Sequence, residues 1–588
     1  MKKIFFSLIA LAFGLMLSAQ DIPQHISYSR IYDFVDELAN DGVIEINSVV
    51  KPYSRSFIAE KLLEADAQKE RLNKRQVSEL AFFLEEFALE QDRLPDFEFP
   101  LIEGKKGRLD LMPPMFYYRD KAFRARVQPI LGMHILNNDN GQIQQRWFGV
   151  DFQAMIGKHV SVYGSLRDIS AAGKSKMENP PLYFERLSEP TFLTNYPGYE
   201  YKHPSDFSDS RGGVKLGWNW GSVGLVKDNV VWGDNYNGSN IISGRVPSFP
   251  MITLNLRPAK WFEMNYIHGW LVSNVVDSAK FYVENDVKRW YRNHNKYIAA
   301  NMFTFIPIPK LNISFGNSIV YAEDNVQPGY LIPISFFKSV DHTLTKGLGI
   351  ENQNSQLFFN ISSRNIKHLH LYSSVFFDEM KFSRFKSSSP DKNPFSFKVG
   401  GKLTNFPIRN LSANVEFTKT NIINYKHSIE AITYASNNYS LGHYLGDNSQ
   451  ELYASLGYKP IRGLDLEVFY LDAKHGNEYN MMKYDENGEK GTVPGVANSY
   501  IIKIISQPSL GDVIWSNKSF GFRALYEVFN NAYAVVKIES SDIQGYDATS
   551  EAIAGERRMT AEETLNYFTP AFLQGKNTTI TVGFSLGF

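Results

Sequence analysis

The 588 residues balance 62 Lys and Arg against 62 Asp and Glu, contain no Cys, and are 43% hydrophobic and 14% aromatic. The missing cysteines exclude a disulfide framework and a thiol nucleophile. The neutral charge, slightly acidic once Lys2 and Lys3 are removed, argues against a nucleic-acid partner. Negative mean hydropathy beside so many aromatics suits strands with one wet face and one lipid face.

At the N-terminus, Met1-Lys2-Lys3 precedes a mostly apolar run from Ile4 to Leu17 and the small-residue site Ser18-Ala19-Gln20. That pattern predicts a secretory leader over residues 1–19, cut after Ala19 or one residue later. No later segment approaches the ~18 uninterrupted apolar residues of a spanning helix, so any membrane span must be built of strands.

Residues 28–93 have helical texture. Ile31, Phe34, Val35 and Leu38 recur at helical spacing up to Asn40-Asp41-Gly42; Ser54 precedes Phe57, Ile58, Leu62 and Leu63; a third run carries Val77, Leu80, Phe83, Leu84 and Phe87 and ends near Leu94-Pro95. Three such helices have a thin core of their own and need a surface to lean on. Residues 20–122 therefore read as a helical domain and linker, with room for a short hairpin at Met115–Asp120. Its role is a cap or plug, or else a detached periplasmic handle.

From residue 123 to 588 short turns and long polar connections alternate. The turns lie near Gly157-Lys158, Gly221-Ser222, Arg257 to Lys260, Pro307 to Lys310, Ser363 to Asn365, Pro407 to Asn410, Pro460 to Gly463 and Asn530-Asn531. Each separates segments of period-two pattern, such as Phe148, Val150, Phe152, Ala154 and Ile156 against Gly149, Asp151 and Gln153. The connections fall at roughly 137–144, 170–210, 232–250, 271–296, 322–352, 379–394, 421–449, 474–515 and 541–578. Eight hairpins, a first strand near 124–136 and a last near 579–588 give eighteen strands. Short turns on one rim and long loops on the other is the asymmetry of an outer-membrane barrel, with the turns periplasmic. The apolar run Tyr500 to Ile505 is assigned to an outer loop. In the last strand Ile580, Val582, Phe584, Leu586 and Phe588 should face lipid, and Thr581, Gly583, Ser585 and Gly587 the lumen.

Candidate chemistry is sparse. His368 and His370 share a strand face but lack a third metal ligand of convincing spacing. Glu85-Glu86 reads as a solvated helix face, and Asp485 to Gly488 is too short for a calcium loop. No catalytic residue, metal or cofactor is expected, although a Ser–His site assembled in space stays open. The 170–210 connection holds Tyr183, Tyr196, Tyr199 and Tyr201, and the next holds Trp232, Asp234 and Tyr236. Aromatic faces beside acids and amides are equipment for binding sugars; girdle or packing aromatics would look the same.

Three stretches resemble the capsule assembly Wzi family in the version found in Bacteroidota. They are Ser29 to Ala39 with Lys51-Pro52-Tyr53-Ser54-Arg55, then Val231-Trp232-Gly233 with Ile241 to Pro250, and then Gly442 to Asn448. Asp234 stands where the family pattern has Pro, and Gly244-Arg245 replaces an Asn pair. The resemblance implies an eighteen-stranded outer-membrane barrel, blocked at its periplasmic face by the helices. It also implies a lectin-like role, holding surface polysaccharide at the outer leaflet; on the reading of the loops above, Tyr196, Tyr199, Tyr201, Trp232, Asp234 and Tyr236 are the candidate contacts, and no enzymatic activity is expected. A porin-like channel, or an accessory subunit docking other outer-membrane or periplasmic proteins, are the alternatives. Outer-membrane lipid is the expected partner in all three cases.

Overall fold

The computed structural model describes residues 21–96, 100–110, 116–175, 206–285, 288–344, 353–378, 380, 393–427, 429–477, 509–548 and 560–587. Eighteen antiparallel strands close into a single barrel. β1 to β6 span Phe123–Asn138, Gly141–Ile156, Val160–Ser175, Asp206–Trp218, Gly221–Asp228 and Phe249–Ala259. β7 to β12 span Phe262–Leu271, Lys296–Ile308, Leu311–Tyr321, Gln353–Ser363, Leu369–Asp378 and Phe395–Thr404. β13 to β18 span Leu411–Thr420, Ser449–Tyr458, Leu464–Gly476, Val513–Phe529, Ala532–Gly545 and Gly575–Leu586.

All eight expected turns join consecutive strands. Several close through residues in the left-handed region: Gly157, Lys310, Asn410, Gly463 and Asn531 have φ between +61° and +83°. The strand ends that flank the long connections lie at the opposite rim, and one connection proves short. The 137–144 connection is a tight turn at Asp139-Asn140, because β1 and β2 stay paired out to Asn138 and Gly141. The segment 498–508 lies outside the described residues, and β16 starts after it, at Val513.

The period-two pattern sorts side chains between two media. Ile580, Val582 and Phe584 on β18 are 43%, 51% and 52% exposed on the outer wall, while Thr579 and Thr581 face in at 6% and 3%. Phe588 itself lies outside the described residues. Closure is shared at the edge of β1. β18 pairs with its upper part, Leu586 opposite Leu131 to Ile580 opposite Asn137. Its lower part, Arg124 to Val127, pairs instead with a short strand at Phe116–Arg119. That strand is the last of a three-stranded meander with Pro100–Glu103 and Gly107–Asp110, where the sequence suggests only a hairpin.

Three helices precede the barrel: α1 (Ser29–Asn40), α2 (Arg55–Asp66) and α3 (Lys74–Glu86). Gly42, at φ +75°, follows α1; Ser54 Oγ caps α2 by accepting from Phe57 N at 3.1 Å; Asn73 and Gln76 form a capping box on α3. Phe34, Val35, Leu38, Ile58, Leu62, Leu80 and Phe83 make their common core. No described helix is long and apolar enough to cross a membrane.

Candidate functional site

The turn end of the lumen is occupied by the helices, held by charge. α1 presents acids to cations of the barrel: Asp33 meets Lys402 on β12 at 2.7 Å, while Asp36 meets Arg364 at 3.0 Å and Glu37 meets Lys459 at 3.3 Å at the turns. Arg30 reaches the other way, to Glu527 at 3.2 Å and Asp465 at 3.7 Å. Burial would raise the Glu37 carboxyl, but Arg75, Lys459 and the Asn405 amide hold it down at about 2. Asp33 lies lower still, because Lys402 and Lys459 outweigh its desolvation. The buried pairs of Asp36 and Glu37 add little net stability but penalise any other placement of the helices, since an unpaired partner would be left behind.

From the loop rim two segments fold into the lumen. The first, 229–248, joins β5 to β6. Val231 and Trp232 pair with Lys51 and Val50 of the helical domain, and Gly233 N donates to Val49 O at 2.7 Å. Asp234 accepts from Ser48 Oγ and from Asn360 Nδ2 on β10, the latter at 2.7 Å. Glu416 on β13 then receives two successive backbone donors, Tyr236 N at 2.8 Å and Asn237 N at 2.7 Å, together with the Tyr372 hydroxyl. Lys398 lies 3.5 Å from Glu416. Gly244 has φ +69°, and a Cβ there would stand 2.6 Å from Val231 Cγ2. The second segment, 421–448, covers the first: the hydroxyls of Tyr425 and Tyr434 donate to the carbonyls of Asn240 and Ile241 at 2.7 and 3.1 Å. Asp447 pins it by accepting from the amides of Asn424, Tyr425 and Lys426. Trp232, Ile241, Ile242, Tyr425, Ile432 and Tyr434 pack with inward residues Ile298, Met302, Phe358 and Phe376 into one apolar core. This half of the lumen is filled as a soluble protein interior is.

The other half keeps a polar cavity of about 190 Å³, bordered by Asp33, Tyr236, Asn237, Lys402, Tyr453 and Arg523. The Tyr236 ring carries Lys402 Nζ 4.3 Å from its centroid, its hydroxyl sits 2.8 Å from His370 Nδ1, and burial pushes its phenol pKa well up. Phenol faces beside amides and charges suit a hydroxyl-rich ligand. The volume is below the ~300 Å³ at which small-molecule sites begin.

The structure thus relocates three of the six residues read as sugar contacts. Trp232 and Asp234, 1% and 2% exposed, are framework inside the barrel rather than groups on an outer loop; Tyr236 is half-buried at the cavity. Tyr183, Tyr196, Tyr199 and Tyr201 lie outside the described residues, as does Asp485 to Gly488. His368 is not on a strand face; it sits in the turn before β11 with Nδ1 2.8 Å from Asp41. Glu86 is not solvated but buried 3.5 Å from Arg55. Among the described residues no group of acids and histidines could hold a metal ion. Glu416, Asn360, Lys398 and Lys402 were not singled out, although each is a polar residue on an inward strand row.

No family model and no curated protein sequence matches the chain. Among solved structures it is similar to Wzi, described as an outer-membrane protein involved in group 1 capsule assembly in Escherichia coli and a carbohydrate-binding β-barrel. The TM-score is 0.53 at 12% identity, over 97% of this chain and 100% of that one. The outer-membrane proteins OprD of Pseudomonas aeruginosa and OccAB1 of Acinetobacter baumannii align over 78% and 79% of the chain at 10% identity, with TM-scores of 0.38 and 0.41. The likeness to that barrel runs over nearly the whole of this chain.

Proposed function

We propose that this is a non-enzymatic outer-membrane barrel of the Wzi type that anchors or organises surface polysaccharide at its loop rim, with the turns and helices periplasmic. The observation that carries the reading is the two-ended filling of the lumen. Helices are locked to the turns by the Asp36–Arg364 and Glu37–Lys459 ion pairs, and two rim segments are packed into an apolar core above them. A protein that closes its own bore in this way is suited to holding a ligand outside. The full-length likeness to a carbohydrate-binding barrel supports the same role. The proposed sugar contacts are Tyr196, Tyr199 and Tyr201 of the 170–210 connection together with Tyr236; the small volume of the cavity at Tyr236 supports contact outside the lumen.

Biolayer interferometry of the detergent-purified chain on immobilised capsular or exopolysaccharide tests this. The expected result is saturable binding, lost when residues 176–205 are replaced by a short Gly-Ser linker. Equal binding by both proteins would overturn the assignment. A steady single-channel current from the full chain in planar bilayers would overturn the closed bore and favour a porin.

A further inference from the structure

The connection after β9 leaves the rim in the opposite direction from 229–248. On β7 to β10 the outward rows are fixed by register: Tyr266 stands opposite Asn301, Asn301 opposite Asn317, and Phe303 opposite Phe315. Phe315 and Phe359 on these rows are exposed, yet Asn301, Asn317 and Tyr321, higher on the same wall, are 0%, 6% and 0% exposed. What covers them is the chain's own segment 327–344, a short 3₁₀ turn (Pro328–Leu331) followed by the helix Phe337–Leu344.

The docking is specific. Asn301 Nδ2 donates to Pro333 O and Ser335 O, both at 2.9 Å. Asn317 Oδ1 accepts from Phe337 N at 2.8 Å, and its Nδ2 donates to Asn301 Oδ1 at 2.7 Å. The Tyr266 hydroxyl donates to Tyr330 O at 2.8 Å, and the Tyr321 hydroxyl accepts from Gln327 N at 3.3 Å. Five backbone groups of the segment, at Gln327, Tyr330, Pro333, Ser335 and Phe337, are therefore satisfied from the wall beneath it. Its free side carries Leu331, Ile332, Ile334 and Phe336, 41%, 51%, 70% and 48% exposed.

Irregular backbone survives at membrane depth only where protein satisfies it. Asn317 is six residues above the start of β9. At ~3.3 Å per residue and a tilt of ~40° that is ~15 Å up an apolar band of ~25 Å. We infer that the 327–337 part of this segment is a strap embedded in the outer leaflet, with Leu331, Ile332, Ile334 and Phe336 seated among lipid acyl chains and its backbone tied to Asn301 and Asn317. This inference rests on the membrane reading above; the four side chains continue the lipid-facing surface of the barrel.

The cysteine-free chain allows a direct test. Ile334→Cys and Val582→Cys are labelled with bimane and reconstituted in liposomes containing brominated lipid. Quenching by lipid at both positions, with neither reached by aqueous iodide, is the expected result. Lipid quenching at Val582 with iodide quenching at Ile334 overturns the strap and leaves the barrel reading intact. Protection of Ile334 from both quenchers also overturns it, in favour of a protein contact. No lipid quenching at either site overturns both readings. Adding Asn317→Leu, a change compatible with lipid, should lower the fluorescence anisotropy at Ile334 and leave Val582 unchanged; equal anisotropy would overturn the tether.

Discussion

Two rim connections, 229–248 and 327–344, both abandon the rim to lie against the barrel wall, one inside and one outside. Inside, the wall offers an ion: the Glu416 carboxylate takes two backbone amides of the segment with Lys398 at its back. Outside, the same task falls to neutral groups, the amides of Asn301 and Asn317 and the hydroxyls of Tyr266 and Tyr321. The medium explains the difference. A carboxylate in the lumen can be matched by a facing cation, whereas a charge on the lipid face has no such recourse and costs several kcal/mol near the midplane.

The contrast is broken most severely at Glu416. Glu416→Ala strands Lys398 and two amide donors in the interior and should cost about 3–5 kcal/mol, read as a lower urea midpoint in detergent and protease cleavage near 235–240. Next comes Asn301→Asp, which brings the inner chemistry to the outer wall and removes both donors to the strap. A loss of about 1–3 kcal/mol is expected, with strap residues losing hydrogen-exchange protection while the lumen segments keep theirs. Gly244→Ala forces a Cβ into Val231 and a left-handed φ onto alanine, costing about 1–2 kcal/mol; it should loosen 229–248 alone in the same exchange experiment. The smallest effect at neutral pH is at the floor. Because the Glu37 carboxyl is held at about 2 against an ordinary 4.5, its contribution is fully present above about pH 4.5 and fades as pH falls towards 2. Exchange protection of α1 should follow that curve, and Glu37→Gln should flatten it.

Strand number and the turn rim were legible because both follow from local rules: period-two patterning between Gly, Asn and Pro turns. The end of β1 was misjudged because Asn137, Asn138 and Gln142 look like loop residues, yet here they are paired strand. The filling of the lumen was illegible for a different reason. Trp232, Asp234 and Tyr236 have the composition of a solvent loop, and only Asn360, Lys398 and Glu416, distant in sequence, make an interior for them. A polar side chain on a strand row reads the same whether it meets water, a folded-in segment or a strap.

The divided edge of β1 bears on how the barrel can be sealed. Because residues 116–119 already occupy Arg124 to Val127, the last strand arrives at a slot only seven residues long, Leu131 to Asn137, with its floor in place. The N-terminal meander thus sets a stop for the incoming C-terminal strand. A strand entering two residues too deep would run its end towards Phe116, and one stopping two residues short would leave Leu131 beyond its paired end.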